Sequence, residues 1–315
     1  MPELVAYSGP NRDLFEGYIR YKRALGYAAG DDYQYLARDV FGTLARCEPD
    51  PNVVGRAAME EIVSRRPHES ARTNHMRISM LRQICLWLAT MGYEPCTPPL
   101  DLMPKIPGFT PRIVTESEMA GIIRVADSEE PPWVGLTLRI LWCCGARLGE
   151  VRRLAVSDVD LEAGLLLVRH AKGDKTRILP MSESLWEFVR EYMEQHQLAG
   201  TDGEAPIMPT RNGTVRPSCH CWKVLHRVCE KAGVLAREGK AIRTHDLRHS
   251  FAVHALARLS DAGMDARTAL PLLASYMGHA DIKSTEYYLH FTREAMLRIV
   301  DAQAADSETV FGGVI

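Results

Sequence analysis

The sequence predicts a mainly α protein with a small antiparallel β-sheet, divided between a helical N-terminal region and a larger C-terminal one. Three observations carry that expectation. Apolar residues recur at spacings of three and four along LFEGYIRYKRAL, DYQYLARDVFGTLARC and ARTNHMRISMLRQICLWLATMG, the period of one face of an α-helix. One pair of short β-type runs, LLLVRH and TRILPM, flanks AKGDK and reads as a hairpin. Between the first helices and the rest lies EPCTPPLDLMPKIPGFTPRIV, with prolines at 95, 98, 99, 104, 107 and 111.

Taken in order, residues 11–47 read as two helices separated by GYAAGD, and a third follows from Ala71, giving a helical domain over 1–94. Prolines remove backbone donors and disfavour the helical conformation before them, so 95–112 reads as an extended interdomain linker. A second domain covers 113–304. It opens at TESEMAGIIRVA, where Thr115 as N-cap and Glu118 three residues later form a capping box. WVGLTLRILWCCG reads as a buried helix, Gly173 suits the tight turn of the hairpin, and helices resume at SESLWEFVREYMEQH. Leu289, Met296 and Ile299 mark a short amphipathic helix ending near Ala304, followed by a tail over 305–315.

Hydrophobic content of 46% and charged content of 25% fit a soluble globular protein. No apolar run approaches the ~20 residues that span a bilayer, and MPELVAYSGPNRDLF lacks the basic-then-apolar order of a secretory signal. No membrane partner is therefore expected, and a cytoplasmic location is. The eight cysteines (47, 85, 96, 143, 144, 219, 221, 229) form no CxxC pair, which fits reduced, mostly buried thiols. Cys219, Cys221 and His226 make the one conceivable metal cluster, but their spacing differs from zinc sites, and no metal or other cofactor is expected. Net charge is −2, yet residues 211–250 hold nine Lys/Arg against three acids. That run is either a nucleic-acid-binding face or a solvated helix surface; composition leaves both open.

Four constellations remain. In GARLGEVRRL, Arg147 and Glu150 lie one helical turn apart. In HAKGDKTRILP, Lys172 and Lys175 sit at or beside the hairpin tip; the order of residues and the β context exclude a phosphate-binding P-loop. In RTHDLRHSFAVHAL, His245 and Arg248 share one face of a helix opening near Thr244, beside Arg243 and His249, and so many donors at a helix start suggest an anion there. In LLASYMGHADIKSTEYYLHF, Gly278-His279 ends one helix and the next carries Tyr287 and Tyr288. Periodicity does not choose between the two tyrosines.

In this order the four constellations resemble the tyrosine recombinase (phage integrase) family, over about residues 112–300. The family pattern is an arginine in a GxRxxE-like turn, a hairpin lysine, HxxR at a helix start, then GH and a tyrosine nine residues on. Counting from His279 reaches Tyr288, and Tyr288 with His290 also meets the family's Tyr-x-His ending. The resemblance implies a helical N-terminal core-binding domain plus an integrase-type catalytic domain. It implies metal- and ATP-independent breakage and rejoining of DNA through a 3′-phosphotyrosyl intermediate, with Arg147, Lys172, His245, Arg248, His279 and the nucleophile Tyr288 as catalytic residues. Glu150 would orient its neighbours. It further implies double-stranded DNA recombination sites as partner, a homotetrameric synaptic complex exchanging C-terminal helices, and association with the bacterial nucleoid; accessory recombinases or directionality factors are further partners it admits.

Candidate DNA contacts are Arg72, Asn74 and Arg77 in ARTNHMR, favoured for the major groove, and Arg211, Arg216, Lys223 and Arg243 in the basic run. LARLSDAGMDARTALPLLAS, between HSFAVH and YMGH, is longer than the compact Xer-type spacer, so integration or transposition of a mobile element is favoured over Xer-type dimer resolution. The class-level alternative is a catalytically inactive DNA-binding relative; the filled catalytic positions count against it.

Overall fold

The computed structural model describes residues 4–48, 50, 53–106, 111–171, 175–198, 200–236, 239 and 241–278, and of 170, 171, 175 and 266 the backbone only. The chain divides into two compact units, Met1–Phe109 and Thr110–Ile315.

The first unit is helical: α1 (Arg12–Ala24), α2 (Asp31–Cys47), α3 (Arg56–Val63) and α4 (Ala71–Thr90). Their apolar stripes close on one core that includes Phe15, Tyr18, Ile19, Phe41, Ile62, Leu81 and Ile84. Ser70 caps α4 by accepting from the Thr73 amide. Helix α3 was not anticipated. Of the stretch expected as an extended interdomain linker, the part as far as Pro104 lies along this unit. Cys96 N donates to Val54 O (2.7 Å), Arg82 to Pro98 O, and His75 Nδ1 pairs with Pro104 O (3.2 Å). Proline carbonyls keep their acceptor strength, so a proline-rich strand can dock by accepting even where it cannot donate.

The second unit is helical around a three-stranded antiparallel sheet of order β1-β2-β3. Its elements are α5 (Glu116–Glu129), α6 (Pro132–Cys144), α7 (Leu148–Val151), β1 (Val159–Asp160), β2 (Leu165–Ala171), β3 (Lys175–Pro180), α8 (Glu183–Gln195), α9 (Ser218–Lys231), α10 (Thr244–Asp261) and α11 (Ala266–Met277). The capping box at Thr115 and Glu118 opens α5. Helix α6 is apolar nearly all round and runs through the core, as WVGLTLRILWCC requires. The expected hairpin is present as β2 and β3, with β1 added outside it. Helices α10 and α11 pack through Ala252, Val253, Leu256, Leu270 and Leu273. Ser250 Oγ ties α10 to the start of α5, accepting from Val114 N at 2.8 Å and donating to Asp246 O at 2.8 Å.

Candidate active site

The site is built where α6 ends, α10 begins and α11 ends. Helix α6 stops at Gly145, in the left-handed conformation at φ 57°. A Cβ there would lie 2.3 Å from Phe251 Cδ1, so both backbone and space demand glycine. This turn presents Arg147 as N-cap of α7. Glu150 then folds back. Its Oε2 accepts from Arg147 N (2.7 Å) and its Oε1 from Arg147 Nη1 (2.9 Å), and only 4% of its side chain is exposed. The expectation that Glu150 orients its neighbours has this geometry behind it.

Helix α10 opens with Asp246 Oδ2 accepting from Arg243 N (2.8 Å), a cap that also engages the Arg243 guanidinium. One turn in, Arg248 is 1% exposed. Its Nη1 donates to Gly145 O (2.5 Å) and its Nη2 to Met277 O (2.6 Å), so it joins the end of α6 to the end of α11. His245 lies on the exposed side of the same turn. Desolvation, then the charges of Arg248, Arg147 and Arg243, hold its pKa below the ordinary histidine value, which keeps the ring neutral. His249 meets it edge-on at 4.8 Å and is driven down to about 3, first by burial and then by His245.

One residue of the cluster was not singled out from the sequence. Arg177 on β3 donates through Nη2 to Glu150 Oε2 (2.6 Å) and through Nη1 to Met277 O. The available signal was strand alternation, which puts Arg177 on the inward face with Leu179 while Ile178 points out. Two guanidiniums, those of Arg147 and Arg177, thus share the Glu150 carboxylate, and Arg248 joins the same turn through the Gly145 carbonyl. Lys172, His279 and Tyr288 lie outside the described residues.

The structure places the expected DNA contacts differently. Asn74 and Arg77 are 4% and 1% exposed. Asn74 Nδ2 donates to Val63 O (3.1 Å), and Arg77 Nη2 to Ser64 O and Glu69 Oε2 (2.8 Å each), so both hold the end of α3. Arg72 is exposed. Arg216 is half-buried over the Trp133 ring, 4.5 Å from its centroid, and donates to Pro209 O. Much of the basic run is neutralised: Arg227 pairs with Glu130 and Lys231 with Glu129. Arg211, Lys223 and Arg243 stay exposed, Arg243 bound to Asp246. Cys221 is buried while Cys219 is exposed, so the two thiols of the conceivable metal cluster stand in different environments. Among the described residues no helix is long and apolar enough to cross a membrane.

A turn that presents Arg147 beside Glu150 thus lies against a buried helix start that carries Arg248, and planar guanidiniums are suited to oxygen-rich anions. Residues 112–295 match the model of the phage integrase family, and the chain belongs to this family, that of the tyrosine recombinases. It is 31% identical over 284 residues to the putative integrase/recombinase y4rE of Sinorhizobium fredii, covering 87% of this chain and 89% of that one. It is 30% identical over 210 residues to the tyrosine recombinase XerA of Pyrococcus horikoshii, covering 67% of each. In fold it is similar to the XerH site-specific recombinase bound to its difH substrate, at 17% identity and TM-score 0.64, over 94% of this chain and 98% of that one.

Proposed function

We propose that the chain is a site-specific recombinase that cuts and rejoins double-stranded DNA through a 3′-phosphotyrosyl intermediate, with Tyr288 as nucleophile. The observation that supports this reading is the turn after Gly145, which carries Arg147 paired with Glu150 and is bonded through its Gly145 carbonyl to the buried Arg248. A phosphodiester gains charge on its non-bridging oxygens as the phenol oxygen attacks phosphorus. Arg147 and Arg248 are the groups that stabilise that charge, and removing one preorganised donor of this kind costs about 3–4 kcal/mol of barrier. The departing 5′-oxygen takes its proton from Lys172. His245, kept neutral, accepts the proton of Tyr288, and His279 donates to the phosphate. The phosphotyrosyl bond conserves the energy of the bond it replaces, so religation is the same step reversed and needs no ATP. The arginines supply the charge neutralisation a metal would otherwise give.

In this reading residues 1–94 form the core-binding domain, 95–112 the connection and 113–304 the catalytic domain. The DNA contacts are Arg72, Arg211, Lys223 and Arg243, all exposed. The active form is a homotetramer on two duplexes, with C-terminal helices passed between neighbours, acting in the cytoplasm at the nucleoid. The role is integration or transposition of a mobile element, favoured by the long spacer before Tyr276 and by the extended similarity to y4rE. Dimer resolution of the Xer type is the second reading, favoured by the similarity to XerA. Incubation with a duplex nicked beside the cleavage point tests the chemistry: a recombinase accumulates a covalent protein–DNA adduct, and an inactive DNA-binding relative yields only dissociable complexes.

A further inference from the structure

Arg147 and Arg248 are 101 positions apart in the chain, yet a phosphate clamp needs their spacing fixed to a fraction of an ångström. The hydrogen bonds around them form a closed ring. Arg248 Nη1 donates to Gly145 O and its Nη2 to Met277 O. Arg177 Nη1 donates to that same Met277 O, and Arg177 Nη2 to Glu150 Oε2. Glu150 Oε1 accepts from Arg147 Nη1, and Arg147 follows Gly145 by two residues, which closes the circuit. Each arginine of the clamp is therefore joined to Arg177 through one shared acceptor: Glu150 on one side, the Met277 carbonyl on the other.

We infer that Arg177 is the positioning residue of this site, the strut that fixes the spacing of Arg147 and Arg248 and anchors the turn at Gly278. The inference rests on the recombinase reading for what the spacing is used for, but the ring itself does not. The side chain suits the task. It rises from β3 at the position paired with Val168, on the inward face, with 10% of its surface exposed. Its planar fork reaches two acceptors in a fixed geometry, which one ammonium on a flexible stem cannot do. Gly278 sits against it: φ is 63°, and a Cβ there would come within 3.0 Å of Arg177 Nη1. Its two Nη groups serve Glu150 and the Met277 carbonyl, the acceptors that also engage Arg147 and Arg248.

The test compares full-length wild type, Arg177→Met and Arg177→Lys on the nicked duplex at saturating protein, with DNA affinity and thermal melting measured alongside. Two substrates are used, one with an ordinary scissile phosphodiester and one with a methylphosphonate there, in which a methyl replaces a charged non-bridging oxygen. Arg177→Met should bind DNA like wild type but cleave the phosphodiester slower by on the order of 100-fold, the size expected when catalytic groups are misplaced by about 1 Å. The loss should shrink on the methylphosphonate, which asks less of the clamp, and Arg177→Lys should recover only part of the rate. Equal losses on both substrates, or a Met variant as fast as wild type, would overturn the inference. Hydrogen exchange gives a readout that needs no catalysis: Arg177→Met should speed exchange across 145–151, and unchanged exchange there also overturns it. Should Arg177→Met not fold, Arg177→Gln, which keeps one donor, takes its place in every arm. A wild type that forms no adduct would count against the recombinase chemistry, and the exchange comparison would still decide the role of Arg177.

Discussion

Replacing Gly145 by alanine strikes the turn from which the whole site hangs. Two costs can be worked from the structure. An L-residue held at φ 57° pays about 1–2 kcal/mol for the left-handed conformation. The new methyl would lie 2.3 Å from Phe251 Cδ1, so either the Phe251 ring leaves its stack on Tyr276 or the helices that hold it shift. Overpacking of that kind costs about 1–3 kcal/mol. Alanine also restrains the unfolded chain and returns about 0.4–1 kcal/mol. The net is a destabilisation of about 1–4.6 kcal/mol, or a melting point lower by roughly 2–18 °C for a unit of this size. Two controls in the same unit separate the contributions. Gly233 has φ 70° but open space around its Cβ, so its alanine variant should show the conformational cost alone. Gly121 lies inside α5 with nothing near its Cβ, and alanine there should be neutral or stabilising by up to about 1 kcal/mol. Calorimetry on the three full-length variants reads the order directly. A Gly145→Ala protein that melts no lower than Gly233→Ala would refute the close approach to Phe251, and with it the account of how α6 and α10 fix Arg147.

Five further outcomes follow from the proposed chemistry and the geometry. Lys172→Ala should slow cleavage far more than Lys175→Ala and be rescued by a 5′-bridging sulfur, whose departure needs no proton; EDTA should leave cleavage intact, and loss on chelation would return attention to Cys219, Cys221 and His226. His249 binds its proton only near pH 3 when folded but near its ordinary value when unfolded, so the unfolded state takes up the proton first as pH falls. Stability should drop by about 1.4 kcal/mol per pH unit from this group below about pH 6, a slope that His249→Leu removes in pH-dependent urea melts. Arg77→Met leaves Glu69, whose side chain is 8% exposed, with the Arg66 amide as donor, and should cost about 2 kcal/mol while leaving the DNA affinity of the folded protein alone; Lys223→Ala should do the reverse, lowering the salt dependence of binding by about one counterion.

What the sequence made legible was local. The Thr115–Glu118 box, the hairpin strands and the opening of α10 are each written within a few residues, where capping and strand alternation act. Helix α3, eight residues long, is too short for periodicity to reveal, and without it the partners of Asn74 and Arg77 were not legible. A helix end leaves carbonyls in need of donors, and these two side chains serve the Val63 and Ser64 carbonyls of that unseen end. The pairing within the basic run was not legible for a similar reason, since Glu129 at the end of α5 and Glu130 just after it are about a hundred residues from the Lys231 and Arg227 they pair with. Arg177 stayed hidden because its acceptors, Glu150 and Met277, meet only after the whole second unit has folded.

Tyr288 as nucleophile is the central claim, and the adjacent Tyr287 makes it sharply testable. The direct measurement is mass spectrometry of the peptide that carries the covalent nucleotide after proteolysis and nuclease digestion of the trapped complex, made on wild type, Tyr287→Phe and Tyr288→Phe. The account predicts the modification on Tyr288 in wild type and in Tyr287→Phe, and no adduct with normal DNA binding in Tyr288→Phe. A nucleotide found on Tyr287, or an adduct that persists in Tyr288→Phe, would contradict it.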